Sequence, residues 1–351
     1  MPDTSPTESR GTFTSEPEEV FTVFHRGSRL HAAVSINSTA RGPALGGTRF
    51  RQYPTLDAAV SDATNLAEAM TLKNAVAGLP FGGGKAVLIG DPATDKTREL
   101  LVDYAFLLDT LQGRYVTAED VGMSMADMDL LREHTAHVTG TSVERGGSGD
   151  PSPLTAVGVM SAMEAAAEHL WGSRELSGKH IAISGLGKVG SSLARLLLEV
   201  GSRVTATDLS ERAAQSLRGA GPIEYVTTDE IHRVACDIFS PCALGGVLNE
   251  ATVPELRCPL VVGAANNQLA APEIADLLAE TGILYVPDFV ANAGGVINIA
   301  NEHTGYDLER ATTQVKEIIG TTTIVLDMAI RDGTTPLAAA FALARQRLAA
   351  A

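Results

Sequence analysis

A chain of 351 residues is long for a single core, and 44% hydrophobic with 20% charged residues is the composition of a globular protein, so two domains are expected rather than a disordered or fibrous chain. A net charge of -15, with no cluster of Lys and Arg, excludes nucleic acid as a partner, because affinity for a polyanion rests on such clusters. Three cysteines, Cys236, Cys242 and Cys258, make neither a disulfide framework nor a four-ligand metal site, and their odd number points to a reducing compartment, by default the cytoplasm.

Residues 1–18 are polar and read as a disordered leader rather than a signal peptide, and no apolar run reaches the roughly 18 residues that a membrane span needs. VFTVFHRGSRLHAAVSIN then predicts two strands about a turn at Arg26, Gly27 and Ser28. A helix is predicted over 56–72, a short buried strand over 86–89 and another helix over 98–111. RYVTAED reads as a strand ending in two carboxylates, with a helix starting near Ser124. RGGSGDPSP concentrates Gly, Ser, Pro and Asp and marks a linker with a boundary near residue 149. Beyond it come a helix over about 155–170 and a strand, glycine turn, helix and strand in HIAISGLGKVGSSLARLLLEVGSRVTATD. Short apolar strands at CDIFSP, PLVVGA and ILYVPD imply a parallel sheet with crossovers. After Asp307 two helical stretches close the chain, the last, about 326–351, packing back on the first domain, and linkers near 149 and 325 would be the hinges. The expected fold class is α/β, with an N-terminal α/β catalytic domain over 19–148 and a Rossmann dinucleotide-binding domain over 149–325, separated by a cleft.

Gly185, Leu186, Gly187, Lys188, Val189 and Gly190 form GxGxxG directly after a strand and opening a helix, the context that makes the pattern informative. Its glycines let backbone approach a pyrophosphate, and the helix N-terminus offers free N–H groups. Asp208 stands at the end of the next strand, where a carboxylate accepts hydrogen bonds from a ribose diol and repels a 2′-phosphate. NAD is therefore favoured, while Arg212 leaves room for NADP.

LPFGGGKAV looks like a second phosphate loop but lacks the spacing of GxxxxGK[ST]: five residues before Gly84 stands Leu79, and Ala86 replaces the hydroxyl residue after Lys85. The stretch instead predicts a lysine at a buried strand, its glycines clearing space for a small ligand, with Lys73 upstream and Asp120 at the end of a later strand. Burial and a second cation both lower a lysine's pKa toward the range of an acid or base.

MTLKNAVAGLPFGGGKAVLIGDP closely resembles the signature of the glutamate, leucine, phenylalanine and valine dehydrogenase superfamily. The resemblance continues through GPALGGTR, RYVTAEDVG, GDPSPLTAVGV, GLGKVG, CDIFSPCALGG, VVGAANNQL and PDFVANAGGVIN, covering about 28–305. Members oxidatively deaminate an L-amino acid to a 2-oxo acid and ammonia with hydride passing to a nicotinamide, and run the reverse amination. The resemblance implies a nicotinamide cofactor of the NAD(P) type, with NAD chosen by Asp208, these small molecules as partners, and a homo-oligomer assembled through the first domain. It also implies Lys73 as the ligand of the substrate carboxylate, Lys85 as the lysine that polarises the 2-oxo group and activates water, and Asp120 as the proton shuttle to nitrogen. The backbone at Leu45, Gly46 and Gly47 would line the substrate site. Thr155 would lie near the nicotinamide amide, Cys242 and Ala243 in a loop beside the cofactor, and Asn266 and Asn292 along cofactor and substrate, with Asn267 an equal candidate to Asn266.

The two side-chain pocket positions fall at Ala118 and Val296; TAED with GGV resembles the leucine and valine branch, and with Leu45 they imply an apolar pocket for a branched aliphatic substrate. FGGGK, with Phe81, is closer to the phenylalanine and valine branches, so an aromatic substrate (phenylalanine or tryptophan) remains the alternative. A non-catalytic NAD-binding sensor would predict decay of Lys73, Lys85 and Asp120, and all are present. His134 and His137 lack the HExxH context of a metal site, so no metal is expected.

Overall fold

A computed structural model describes residues 16–215 and 217–351; of the expected leader only 16–18 fall among the described residues. The first half contains β1 (Glu19–His25), β2 (Leu30–Ser38), β3 (Ala44–Arg51), α1 (Leu56–Val76), β4 (Gly82–Ile89), α2 (Arg98–Thr110), β5 (Tyr115–Glu119) and α3 (Met125–Arg132). The strands form one sheet in the order β1-β2-β4-β3-β5. β2 pairs antiparallel with β1 and β4, and β3 pairs parallel with β4 and β5. Helix starts obey side-chain capping: Thr55 and Thr97 accept from the N–H of Ala58 and Leu100, and Ser124 and Asp127 make a reciprocal capping box. Helix α1 covers one sheet face, setting Ala59 and Ala63 against Ala33 and Val87. The other face is covered by Leu100, Tyr104 and Leu108 of α2 and Met128 and Leu131 of α3. Sheets covered on both faces carry near-continuous apolar strands, which is why β2 and β4 stand out in the sequence.

The second half contains α4 (Ser152–Trp171), β6 (His180–Ser184), α5 (Lys188–Glu199), β7 (Arg203–Thr207), α6 (Glu211–Gln215), β8 (Ile223–Tyr225), β9 (Ile238–Pro241), β10 (Leu260–Val261), α7 (Ile274–Glu280) and β11 (Leu284–Tyr285). Every described pairing is parallel, and the order β11-β10-β9-β6-β7-β8 reverses direction at β6. That reversal is a topological switch point, and ligands of such sheets bind beyond the carboxyl ends of the strands there. The chain ends with α8 (Asp288–Ala291), α9 (Gly294–Ala300), α10 (Leu308–Lys316), α11 (Ile318–Asp332) and α12 (Pro336–Ala349). The α/β class and the two-domain organisation expected from the sequence are both present. No described helix is long and apolar enough to cross a membrane.

The sequence reading needs correction at five points. Strand β3 was not foreseen, because Gly46 and Gly47 interrupt its apolar pattern, and neither was the three-residue β8. Strand β4 starts at Gly82 rather than 86, so the glycine triplet is itself paired strand. The described residues after Asp307 form three helices, not two, since α10 and α11 meet at Glu317 without any Gly or Pro. Finally, Val325 is buried in the middle of α11, so no flexible linker lies at the boundary expected near 325.

Helix α12 does pack on the first half: Ala340, Leu343 and Ala344 join Leu72, Ala75 and Val76 of α1 in one apolar cluster. Arg41 Nη1 donates to the carbonyl of Arg347 at 2.7 Å, and Arg347 donates to the carbonyls of Ala75 and Val76.

Candidate active site

Lys85 lies in the middle of β4 on the face toward α1, opposite Ser35 of β2, and is only 6% exposed. Its ammonium is in ion-pair contact with Oδ2 of Asp120, which follows the last residue of β5. Gly47 of β3 pairs with Ala118 of β5 and brings the two strands so close that a Cβ on Gly47 would stand 3.0 Å from the Asp120 Cβ. Burial lowers the pKa of Lys85, with the Asp120 charge opposing and the Arg49 charge reinforcing. Burial alone would raise Asp120, but Lys85, Arg49 and the N–H of Val121 together hold its carboxyl below the usual range. The site therefore keeps an anion beside a lysine that gives up its proton more readily than usual.

Lys73, one turn before the end of α1, donates from Nζ to Oδ1 of Asn292 at 2.7 Å. The Asn292 amide donates in turn to Oδ1 of Asn266 at 2.8 Å and to the carbonyl of Ala264 at 3.0 Å. Of the two adjacent asparagines it is thus Asn266 that joins this chain, while Asn267 adopts a left-handed φ of 52°. Burial lowers the Lys73 pKa to about 8, the charge of Lys85 adding to the effect and Asp288 opposing it. Burial also raises the pKa of Asp288, against the pull of Lys73.

Leu45 and Ala118 lie in register on the sheet face that carries Lys85. Leu45 and Val296 share a buried cluster with Phe81, Val116 and Leu154, and Ala118 is 3% exposed. The glycines do not clear space for a ligand, contrary to the sequence reading. A Cβ on Gly82 would stand 1.8 Å from the Ser38 carbonyl oxygen, on Gly83 2.1 Å from the Thr71 nitrogen, and on Gly84 2.8 Å from the Tyr115 ring. On Gly46 it would stand 1.9 Å from the Gly84 carbonyl oxygen. These residues are glycine because strand, helix and ring close on the backbone.

At the second glycine turn the requirements separate. Gly185 has φ +104°, and a Cβ there would meet Ala243 at 2.6 Å. A Cβ on Gly190 would stand 2.0 Å from the Gly185 carbonyl oxygen and 3.3 Å from the Cβ of Cys242. A Cβ on Gly187 would meet nothing within 4 Å. Gly187 is also the N-cap of α5 without a side-chain partner, so the helix presents N–H groups, including those of Lys188 and Val189, to open space. Lys188 Nζ pairs with Asp150 at 3.2 Å. Asp208 accepts from the N–H of Leu186 at 2.7 Å and of Ser210 at 2.8 Å, so its carboxylate is fixed beside the turn. Thr155 Oγ1 donates to the carbonyl of Pro151 at 2.9 Å within α4 and lies against the start of α9 at Gly295. Burial raises the Cys242 thiol pKa, which is the state of a packing residue and not of a nucleophile. No group of three or more His, Cys, Asp or Glu among the described residues could hold a metal.

Two family models match the chain. Residues 21–137 fit that of the Glu/Leu/Phe/Val dehydrogenase dimerisation domain, and residues 146–211 and 208–351 that of glutamate/leucine/phenylalanine/valine dehydrogenase. The chain belongs to the Glu/Leu/Phe/Val dehydrogenase family. It is an oxidoreductase, an amino acid dehydrogenase. Valine dehydrogenase of Streptomyces albus is 48% identical over 95% of this chain and 93% of its own. Leucine dehydrogenase of Geobacillus stearothermophilus is 44% identical over 95% of this chain and 91% of its own. The crystal structure of L-tryptophan dehydrogenase from Nostoc punctiforme superposes with a TM-score of 0.85 at 38% identity, over 95% of this chain and 96% of that one.

Within this dehydrogenase the sequence reading passed over four residues that the structure brings to the floor. Arg49 Nε faces Asp120 Oδ2 at 3.5 Å, and Arg49 Nη1 meets Asp62 Oδ2 at 3.1 Å. Tyr53 donates to Asp62 at 2.5 Å, and Asp288 lies near enough to Lys73 to oppose its pKa shift. A signal existed: Arg49 is a charge inside GGTR, four residues beyond a buried leucine in the same motif.

Proposed function

We propose that the protein catalyses the NAD-dependent, reversible oxidative deamination of branched-chain L-amino acids, leucine, valine and isoleucine. In balanced form, R–CH(NH3+)–COO− + NAD+ + H2O gives R–CO–COO− + NH4+ + NADH + H+. The observation that carries the reading is the buried Lys85–Asp120 ion pair between strands, in a chain of the dehydrogenase family. Lys73 binds the substrate carboxylate as a point charge held by Asn292. Lys85, its pKa lowered by burial, takes a proton from the water that attacks the imine carbon and polarises the 2-oxo oxygen in the reverse direction. Asp120 moves protons to and from the substrate nitrogen.

A dinucleotide fits the second glycine turn: the uncapped start of α5 and the open space at Gly187 suit a pyrophosphate. Gly185, Gly187, Lys188, Val189, Gly190, Asp208, Thr155, Cys242, Ala243 and Asn266 are the residues that would hold it. When bound it supplies the hydride acceptor. Asp208, already fixed by two backbone N–H groups, offers its remaining lone pairs to a ribose diol, which supports NAD over NADP.

The small Ala118 and Val296 beside Leu45 support a branched aliphatic side chain, as do the valine and leucine dehydrogenase relatives. The likeness to a tryptophan dehydrogenase keeps an aromatic substrate as the second reading. Residues 19–148 with about 326–351 form the substrate and oligomerisation half, and 149–325 the dinucleotide half. Assembly as a homo-oligomer is supported by the match of 21–137 to a dimerisation domain. Three free thiols support a cytoplasmic location.

The test is NADH absorbance with leucine, valine, isoleucine, phenylalanine, tryptophan and glutamate in parallel. The highest kcat/KM is expected on a branched aliphatic; a maximum on an aromatic or glutamate overturns the substrate, and activity on none favours a sensor.

A further inference from the structure

We propose that Arg49 is a positioning residue of this reaction, holding the Asp120 carboxylate ionised and aimed at the site while Lys85 gives up its proton. The proposal rests on the roles given above to Lys85 and Asp120.

Four charged groups meet on the α1 face of the sheet. Lys85 comes from β4, Asp120 from the end of β5, Arg49 from β3 and Asp62 from α1. Two cations and two anions balance while Lys85 is protonated. Lys85 touches Asp120, Arg49 stands 3.5 Å from the same Asp120 oxygen, and the other side of the guanidinium is held by Asp62 at 3.1 Å. Asp62 in turn accepts from the Tyr53 hydroxyl at 2.5 Å, and the Arg51 guanidinium lies over the Tyr53 ring at 5.1 Å. Arg49 is thus clamped from two elements, and its charge is offset by Asp62 rather than left to compete with Lys73 for the substrate carboxylate.

The consequence follows from protonation states. When Lys85 is neutral, as a base must be, the ion pair with Asp120 loses its cation. A carboxylate in so little water would then take up the proton itself, leaving Lys85 as the one base and Asp120 unable to accept a proton from the substrate nitrogen. A guanidinium does not deprotonate in a protein, so Arg49 supplies a permanent counter-charge and keeps the two proton acceptors distinct. The other charged groups near the quartet are Lys73 of α1, whose positive charge works in the same direction as Arg49 on Lys85, and Glu119, the neighbour of Asp120.

The test uses full-length protein with Arg49→Met, Arg49→Lys and Asp62→Asn. Competitive acetylation of Lys85 across pH, read by peptide mass spectrometry, reports its titration whether or not the protein turns over. Removing the Arg49 charge should move that midpoint up by about one pH unit. Arg49→Lys should restore much of it, and Asp62→Asn should move it down, because Asp62 favours the charged lysine. In turnover, Arg49→Met should lower kcat at neutral pH with recovery at alkaline pH, while the Kd for NADH stays unchanged. Midpoints and pH profiles matching the parent, with only melting temperature altered, would make Arg49 a structural ion pair and overturn the proposal. Should Arg49→Met fail to fold, Arg49→Gln read by the same acetylation midpoint decides: an upward shift supports the hold of Arg49 on the pair, and the parent midpoint overturns it. A parent protein inactive on every amino acid removes the functional reading, and the acetylation series remains decisive for the hold of Arg49 on this pair.

Discussion

Lys73 and Asn292 stand 219 positions apart in the chain and are joined by a hydrogen bond of 2.7 Å between ammonium and side-chain carbonyl. The bond ties the last turn of α1 to the residue that ends α8, and through the Asn292 amide to Asn266 beyond β10. A cation held in this way is pre-aimed, and its low pKa reflects burial that no carboxylate of the chain fully offsets. The substrate carboxylate would complete the pairing.

Lys73→Ala is therefore expected to raise the KM for the amino acid far more than it lowers kcat. A hydrogen bond to a charged group contributes about 1.5–3 kcal/mol, or roughly 10- to 150-fold. Steady-state kinetics with the preferred amino acid and a parallel NADH titration check this; a weakened NADH affinity with unchanged KM would remove Lys73 from the substrate site.

The pH dependence follows from the two lysines with opposite signs. Lys85 must be neutral to act as a base, so kcat/KM for deamination rises with pH through its titration, which burial places below the ordinary lysine value of 10.5. Lys73 must be charged to bind a carboxylate, so affinity falls in the free enzyme above its value of about 8. A bell-shaped kcat/KM profile is expected, with its alkaline limb absent from kcat because bound carboxylate raises the Lys73 pKa again. A Lys73→Arg variant, which stays charged, should lose that limb.

Much of this was legible in the sequence and some was not, for definite reasons. Helices α1, α2 and α4 announced themselves by apolar spacing. The turn at Gly185 to Gly190 was readable because its chemistry is local, a strand running into an uncapped helix. Strand β3 was not, since two glycines erase the strand pattern, and the reason for them, Gly84 and Glu119 backbone close by, lies in other strands. Arg49 was missed on the same ground: its partners Asp62 and Asp120 come from α1 and from the end of β5. Lys73, Lys85 and Asp120 stood out from the glycine stretch and its neighbours, but their separate roles came through motif resemblance, and sequence alone left Asn266 and Asn267 equivalent, a tie that only the reach of Asn292 breaks.

Substrate choice should respond to Ala118. It pairs with Gly47 beside Asp120 and is buried, and in the proposed reading it lines the substrate pocket, so Ala118→Gly should enlarge that pocket by one methyl. One methylene-sized change discriminates by about 1–3 kcal/mol, so the ratio of kcat/KM for phenylalanine over valine should rise by roughly 10-fold or more. An unchanged ratio across the amino acid panel would place the side chain elsewhere.

Asp208→Ala should weaken NAD binding and narrow its preference over NADP. The variant also strands the N–H groups of Leu186 and Ser210, so part of the loss would come from a loosened turn, and the comparison of the two cofactors isolates the ribose effect. Equal losses for both cofactors would show that Asp208 shapes the turn without reading the ribose.

The glycines of the two turns should fail in different ways. A Cβ on Gly83 would stand 2.1 Å from the backbone nitrogen of Thr71 and 2.2 Å from its hydroxyl, which donates to Asn37 at 2.6 Å. Backbone cannot retreat without moving α1 off β4, so Gly83→Ala should cost at least the roughly 1–3 kcal/mol of an overpacked core and lower the melting temperature. Gly187→Ala adds a methyl that meets nothing within 4 Å on a backbone with φ −61°, which alanine adopts freely. It should melt with the parent and yet bind NADH more weakly, because the methyl occupies the space where a pyrophosphate must approach the start of α5. Thermal unfolding and fluorescence titration with NADH separate the two: a Gly187→Ala protein with unaltered NADH affinity would move the dinucleotide away from this turn, and a Gly83→Ala protein of full stability would mean that α1 yields to the added methyl.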